Sequence, residues 1–220
     1  MKDYLSVFYN NQKKPLTNYP SKFVKYNINR FNLKNKILLE IGCGRGDFIN
    51  EFYKNEVICY ATDKLDSAKN DLNKKIFFST HNISDEKLPY EDNFFDAIYS
   101  KSLIEHISNH EFFFKECRRV LKSNGILITY TPDWETQYLN FYDDITHIKP
   151  FTKITLENCY KMYGFENCKV EKFYQLPLVW KFPFLKIFLR LIAFSIPLRS
   201  KIKFLRFSKE LMLIGFARKD

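Results

Sequence analysis

Three glycines at alternate positions, Gly42, Gly44 and Gly46, follow the acidic Glu40 at the end of the apolar run Ile37, Leu38 and Leu39. Residues without a Cβ let a backbone turn tightly and approach a ligand closely, and the first turn of a following helix offers N–H groups with no partner inside the helix. That combination suits a nucleotide-like ligand. The spacing is G-x-G-x-G, not the G-x-G-x-x-G that seats a dinucleotide pyrophosphate on a helix N-terminus. Asp63 stands 19 residues beyond Gly44, closing a second apolar run over 57–62, where a carboxylate can accept both hydroxyls of a ribose. Two histidines have the chemistry for proton transfer. His147 lies three residues after Asp144, and His106 directly follows Glu105; an imidazole that titrates near neutrality can take the proton of an attacking hydroxyl, with a carboxylate to orient it. His81 and His110 lack comparable support.

Such residues need a scaffold to bring them together. Apolar runs predict strands near 37–41, 57–62, 75–79, 94–100, 125–131, 167–174 and 210–218. Helical periodicity predicts helices near 46–54, 66–73, 109–121 and 152–163, the last with Thr152 as N-cap and Gly164 at its end. Alternating strands and helices define a doubly wound α/β sheet. Ligands bind at the carboxyl ends of strands in such sheets, so Ser100 and Lys101, closing the fourth strand, should face the cleft.

Four stretches in this order resemble the class I S-adenosylmethionine-dependent methyltransferases of the methyltransferase type 11 kind: LLEIGCGRG at 38–46, Asp63 at its strand end, LPYEDNFFDAIYS at 88–100 followed by LIEHI at 103–107, and RVLKSNG at 119–125. The resemblance covers about residues 37–132. It implies a Rossmann-like, doubly wound seven-stranded sheet, mostly parallel with an antiparallel last strand, and S-adenosylmethionine as cofactor. It further implies that Glu40, Gly42, Gly44 and Gly46 shape the loop around the methionine portion and that Asp63 binds the ribose. Leu65 and Ile83 would pack on the adenine, Asn82 would accept its amino group where many relatives carry Asp, and Ser100 would face the sulfonium end.

The stretch DDITHIKPFT at 143–152 resembles a segment of methyltransferases from bacterial surface-polysaccharide clusters, with Lys149 where arginine is common. This implies His147 as general base, oriented by Asp144, with Lys149 holding an anionic substrate. The pair Glu105-His106 resembles quinone-pathway O-methyltransferases, some of which hold a divalent metal through E-x-x-E-H. Here Ser102 occupies the first acidic position, and a hard cation wants several oxygen ligands, so no required metal is expected.

Composition narrows the setting. A chain of 220 residues with 45% hydrophobic content can bury one substantial core. Residues 1–36 read as a basic extension and 37–220 as the methyltransferase domain, with an apolar basic insertion over 176–207 before the last strand. The net charge of +10 divides into +7 for 1–36, −6 for 37–160 and +9 for 161–220, so an acidic core carries basic flanks suited to an anionic partner. Five cysteines without a C-x-x-C pair read as reduced thiols, and the first residues do not form the apolar run of a signal peptide, so a cytoplasmic location is expected. The insertion is rich in Trp, Phe, Leu and Ile, yet its longest charge-free run, 191–198, is far below the ~20 residues that span a bilayer. A basic amphipathic element of this kind either lies on an anionic membrane surface or covers the cleft.

The expectation is therefore methyl transfer to a sugar oxygen of a surface glycan or lipid-linked precursor. Alternatives are a small-molecule or quinone acceptor, RNA, or a cofactor-binding scaffold without turnover. RNA is the weaker of these, because TPDW at 131–134 is not the N/D-P-P-Y motif of base-amino methylation.

Overall fold

A computed structural model describes residues 15, 17–193, 195–197 and 199–220; much of the basic N-terminal stretch, residues 1–14 and 16, falls outside the described residues. Seven strands form one sheet: β1 (Ile37–Ile41), β2 (Ile58–Asp63), β3 (Phe77–Thr80), β4 (Phe95–Lys101), β5 (Leu121–Pro132), β6 (Phe165–Phe173) and β7 (Met212–Lys219), in the order β3-β2-β1-β4-β5-β7-β6. Strands β1 to β5 pair in parallel, and β7 runs antiparallel between β5 and β6. The chain winds outward from β1 to β3 and then returns to lay β4 on the other side of β1. That reversal opens a crevice at the carboxyl ends of β1 and β4.

Side chains alternate across each strand, so a sheet buried on both faces reads as a nearly unbroken apolar run. On one face Leu38, Ala97, Tyr99, Ile128 and Tyr130 pack with α1 (Tyr19–Phe31) and α2 (Ile49–Lys54); on the other Leu39, Ile98, Leu127 and Leu213 pack with α3 (His110–Val120) and α5 (Lys153–Met162). A single turn, α4 (Trp134–Gln137), follows β5. Between β6 and β7 come α6 (Pro177–Lys181), α7 (Leu185–Ala193) and α8 (Lys203–Lys209). Thr152 does cap α5, accepting the N–H of Thr155, whose hydroxyl takes the Thr152 N–H in return.

Several elements differ from the sequence reading. α2 begins at Ile49 instead of residue 46, because Gly46 to Phe48 still belong to the glycine loop. The helix expected over 66–73 is a 3-10 segment, Asp66–Asp71, of which only Ala68 is buried; it has too little apolar surface to anchor a longer helix. The stretch 1–36 is not all extension. Its residues Tyr19–Phe31 are α1, with Phe23, Val24, Asn27 and Ile28 buried on one face. The Phe23 ring lies 4.9 Å from Tyr130, 5.2 Å from Phe48, 5.7 Å from Phe173 and 5.8 Å from Trp180, joining α1 to the glycine loop, the sheet and the insertion. Beneath it, buried Asn27 donates to the Phe23 carbonyl and accepts from the Tyr130 hydroxyl.

All five cysteines are free thiols, and Cys43, Cys59 and Cys117 are buried. Removing the central aromatic contact should be costly: Phe23→Ala is expected to lower the unfolding free energy by about 3–5 kcal/mol, measured as a reduced urea midpoint with an unchanged slope.

Candidate active site

The glycine loop is fixed by its neighbours. Gly42, Gly44 and Gly46 have φ of 74°, 53° and 73°, the left-handed region that L side chains avoid. At Gly42 a Cβ would also stand 2.8 Å from Leu103 Cδ1. The Gly42 and Cys43 N–H groups donate to the Thr62 carbonyl at 2.8 and 3.2 Å. Asp63 completes the link: Oδ2 accepts the Gly44 N–H at 2.8 Å and Oδ1 the Leu65 N–H at 3.0 Å. One carboxylate thus joins the loop after β1 to the loop after β2, and each oxygen retains a second lone pair for a ligand hydroxyl.

Around this loop, buried polar atoms lack protein partners among the described residues. They include Glu40 Oε2 on β1, Thr62 Oγ1 on β2 and Ser100 Oγ on β4. Burial, reinforced by Asp47 and Asp63, pushes the Glu40 carboxyl well above its ordinary range. Orphaned polar atoms at the carboxyl ends of three neighbouring strands fit a polar ligand seated there. Asn82 Oδ1 accepts the N–H of Ser84 at 3.3 Å, and its own N–H donates to Glu86 Oε2, so the amide oxygen closes a local turn. Ile83 belongs to the core beside Leu39, Ile41 and Leu88, whereas Leu65 is half-buried at the start of the 3-10 segment.

Past β4 the chain turns through Ser102 into a 3-10 turn, Ile104–His106. Glu105 is fully buried; its Oε2 accepts from Thr131 Oγ1 at 3.0 Å, and its carbonyl accepts the N–H groups of Ile148 and Lys149. These bonds pin the 144–149 loop over the ends of β4 and β5. Burial pushes the Glu105 carboxyl up to about 7.

The pinned loop meets His106. Its Nδ1 stands 3.1 Å from the Thr146 carbonyl and 2.9 Å from Thr146 Oγ1. Because a carbonyl only accepts, Nδ1 carries the proton and the basic lone pair is on Nε2. The Thr146 hydroxyl in turn donates to Asp144 Oδ1 at 2.7 Å, as does the Thr146 N–H at 3.0 Å. Burial, opposed by the Thr146 carbonyl and helped by His147 and Lys64, holds His106 below its usual value, so it is neutral at pH 7. His147 lies alongside, with ring centroids 4.7 Å apart and its own Nδ1 donating to the Phe141 carbonyl. Asp144 thus supports His106 through Thr146 and also feels the charge of His147, while a backbone carbonyl accepts from Nδ1 of His147. Thr146 had no assigned role in the sequence reading, although it sits between the two residues that did.

One ligand atom each from Glu105, His106 and His147 also lies within 4.8 Å of the others. The pair for which the sequence predicts no required metal thus has three donors in reach of one cation, and two imidazoles suit a transition ion better than magnesium or calcium. The loop carrying His147 exposes Tyr138, Leu139, Tyr142, Ile145 and Ile148. Arg199 ties it to the insertion, pairing with both oxygens of Asp143 at 2.7 and 2.8 Å.

Comparison with known proteins agrees with this geometry. Residues 39–129 match the methyltransferase domain family. The chain is similar to a ubiquinone biosynthesis O-methyltransferase of Pelagibacter ubique, at 28% identity over 109 residues, covering 45% of this chain and 43% of that protein. It thus spans less than half the length of that curated relative. A SAM-dependent methyltransferase from Archaeoglobus fulgidus superposes with a TM-score of 0.68 at 19% identity, over 99% of this chain and 100% of that one. One from Mesorhizobium loti gives 0.66 at 14% identity, over 90% and 98%. The same fold is shared by the [4+2]-cyclase SpnF, with 0.60 at 19% identity over 90% and 80%. The fold is the one these S-adenosylmethionine-dependent methyltransferases share, the match over residues 39–129 is a similarity to the methyltransferase domain family, and S-adenosylmethionine is the cofactor that this likeness implies.

Gly42→Ala should cost about 1–2 kcal/mol from the left-handed backbone alone, before the contact with Leu103. A lowered melting temperature and loss of S-adenosylmethionine binding by calorimetry are the expected results.

Proposed function

We propose that this chain is an O-methyltransferase acting on a hydroxyl of a lipid-linked sugar, with the His106–His147 pair as its proton acceptor. The observation that carries this reading is the chain Asp144–Thr146–His106, which fixes the ring by its Nδ1 proton and so puts the basic nitrogen of the imidazole at Nε2. A sugar hydroxyl is too weak a nucleophile to attack without losing its proton as the bond forms, which is what a positioned neutral imidazole provides. When bound, S-adenosylmethionine supplies a methyl group activated by positively charged sulfur.

Glu40, Gly42, Gly44 and Gly46 would hold the methionine portion, Asp63 the ribose and Leu65 one side of the adenine, with Ser100 beside the reacting end. Asn82 would reach the adenine only with the lone pair its turn leaves over. For the acceptor, the chain aligns the hydroxyl and excludes water, the two contributions that dominate a displacement at an already activated carbon. A charge on His147, whose ring centroid is 4.7 Å from that of His106, disfavours charging His106. Lys149, exposed at the loop, is suited to a phosphate of the lipid carrier.

The exposed apolar side chains around His147 support an amphiphilic acceptor over a wholly polar one. A second reading, a quinone-type phenol, is favoured by the similarity to the ubiquinone O-methyltransferase. A catalytically silent scaffold would keep the crevice but has no use for an oriented histidine pair.

The test is transfer of labelled methyl from S-adenosylmethionine into a bacterial lysate, followed by separation into lipid, polymeric glycan, RNA and small metabolites. Label in glycolipid is the expected result; label confined to quinone or RNA moves the assignment to a rival, and none at all favours the scaffold. With the labelled acceptor in hand, His106→Gln should lower kcat by roughly 100-fold or more, and Thr146→Val should lower it through the same imidazole. The rate should be flat above neutrality and fall as pH drops through a value under 6.5, because the base works only when unprotonated and burial depresses its pKa. A chelator should leave the rate unchanged; loss of activity with EDTA, restored by a transition ion, would shift the histidines from base to metal ligands.

A further inference from the structure

One face of the insertion has no partner among the described residues. On α7, Leu185 and Leu189 turn inward to a small core with Tyr174, Leu176, Val179 and Leu211. Around the rest of the helix, Ile187, Phe188 and Leu191 are 67%, 61% and 71% exposed, and Phe184 just ahead of it is 60% exposed. A surface helix ordinarily gives its polar face to water. Here the polar residues, Lys186 and Arg190, are one turn apart and form a single narrow stripe.

Charge points to what covers this face. Residues 176–209 contain eight Lys/Arg and no Asp or Glu. Arg199 and Arg206 are paired with Asp143 and Glu210, whereas Lys186, Arg190, Lys201 and Lys203 make no ion pair among the described residues. Exposed aromatic and aliphatic groups bordered by unpaired cations complement a surface that is apolar within and anionic at its edge.

We propose that α7 docks the protein on an anionic lipid bilayer, with Phe184, Ile187, Phe188 and Leu191 entering the acyl boundary and Lys186 and Arg190 meeting lipid phosphates. The nine-residue helix is about 14 Å long against a hydrocarbon layer of about 30 Å, so it lies in the interface. Among the described residues no helix is long and apolar enough to cross a membrane. The Arg199–Asp143 pair links this surface to the His147 loop, so docking presents the crevice to lipid-borne hydroxyls. The inference rests on the proposed lipid-linked acceptor and extends it to the partner.

Sedimentation of the full chain with vesicles tests it. Binding to phosphatidylcholine vesicles containing phosphatidylglycerol is expected, with little binding to phosphatidylcholine alone and weakening as salt rises. Lys186→Gln and Arg190→Gln should each weaken it roughly fivefold. The combined Ile187→Asn, Phe188→Ser and Leu191→Gln variant, altered only at exposed positions, should lose it while melting like wild type. Absence of binding, equal binding to neutral vesicles, or indifference to both sets of substitutions would overturn the proposal. So would a dimer in sedimentation velocity that the apolar variant dissociates, since a second copy would then be the partner. The assay needs no acceptor and no methyl transfer, and His106→Gln should bind vesicles like wild type, so failure of the catalytic reading would be seen separately.

Discussion

The site depends first on the Asp63 carboxylate. A loop of three left-handed glycines has little side-chain packing to hold its shape, and free chain of that composition is the most costly kind to order. Asp63 limits the freedom by taking one N–H from each of two loops, while the Thr62 carbonyl takes two more from Gly42 and Cys43. Those bonds are possible because β1 and β2 lie in parallel register, with Ile41 opposite Thr62. The register in turn depends on apolar side chains that are buried on both faces of the sheet. Crevice and core are thus a single construction: Phe48, next to the glycines, touches Phe23 of α1, and Phe23 touches the sheet and the insertion.

Much of this was legible in the sequence where the physics is dominated by burial. Strands covered on both faces show as apolar runs, and the glycine spacing is a direct statement about backbone. α1 was hidden by its composition, since Lys and Asn fill its outer face and leave a sparse apolar stripe. The side-chain partners were less legible for a common reason. Asp and Asn tend to bond backbone or hydroxyl groups two residues ahead, and they do so at Asp63 to Leu65, Asn82 to Ser84, Asp133 to Glu135 and Asp144 to Thr146. Pairings guessed from motif position, Asn82 with adenine and Asp144 with His147, must compete with those short-range bonds. At Asp144 the competition creates something useful, because Thr146 passes the contact on to His106.

The cofactor and acceptor sides are built on different principles. The cofactor side uses backbone amides, buried carboxylates and orphaned hydroxyls on the rigid ends of strands. The proposed acceptor side uses a loop held by the Glu105 carbonyl, which brings His147 beside His106 of the turn after β4, while the Glu105 carboxylate is held by Thr131 of β5. Both sides lie in the acidic central region, between basic flanks.

The excursion over residues 174–211 leaves the sheet at Phe173 and re-enters at Met212, and those two residues face each other on the same rung of the β6–β7 ladder. Whatever lies between them adds only a slowly growing closure entropy to the hairpin. Across a lineage, that junction would behave as an interchangeable socket: segments of other length and polarity could be fitted there, while the glycine loop and its aspartate stayed as they are.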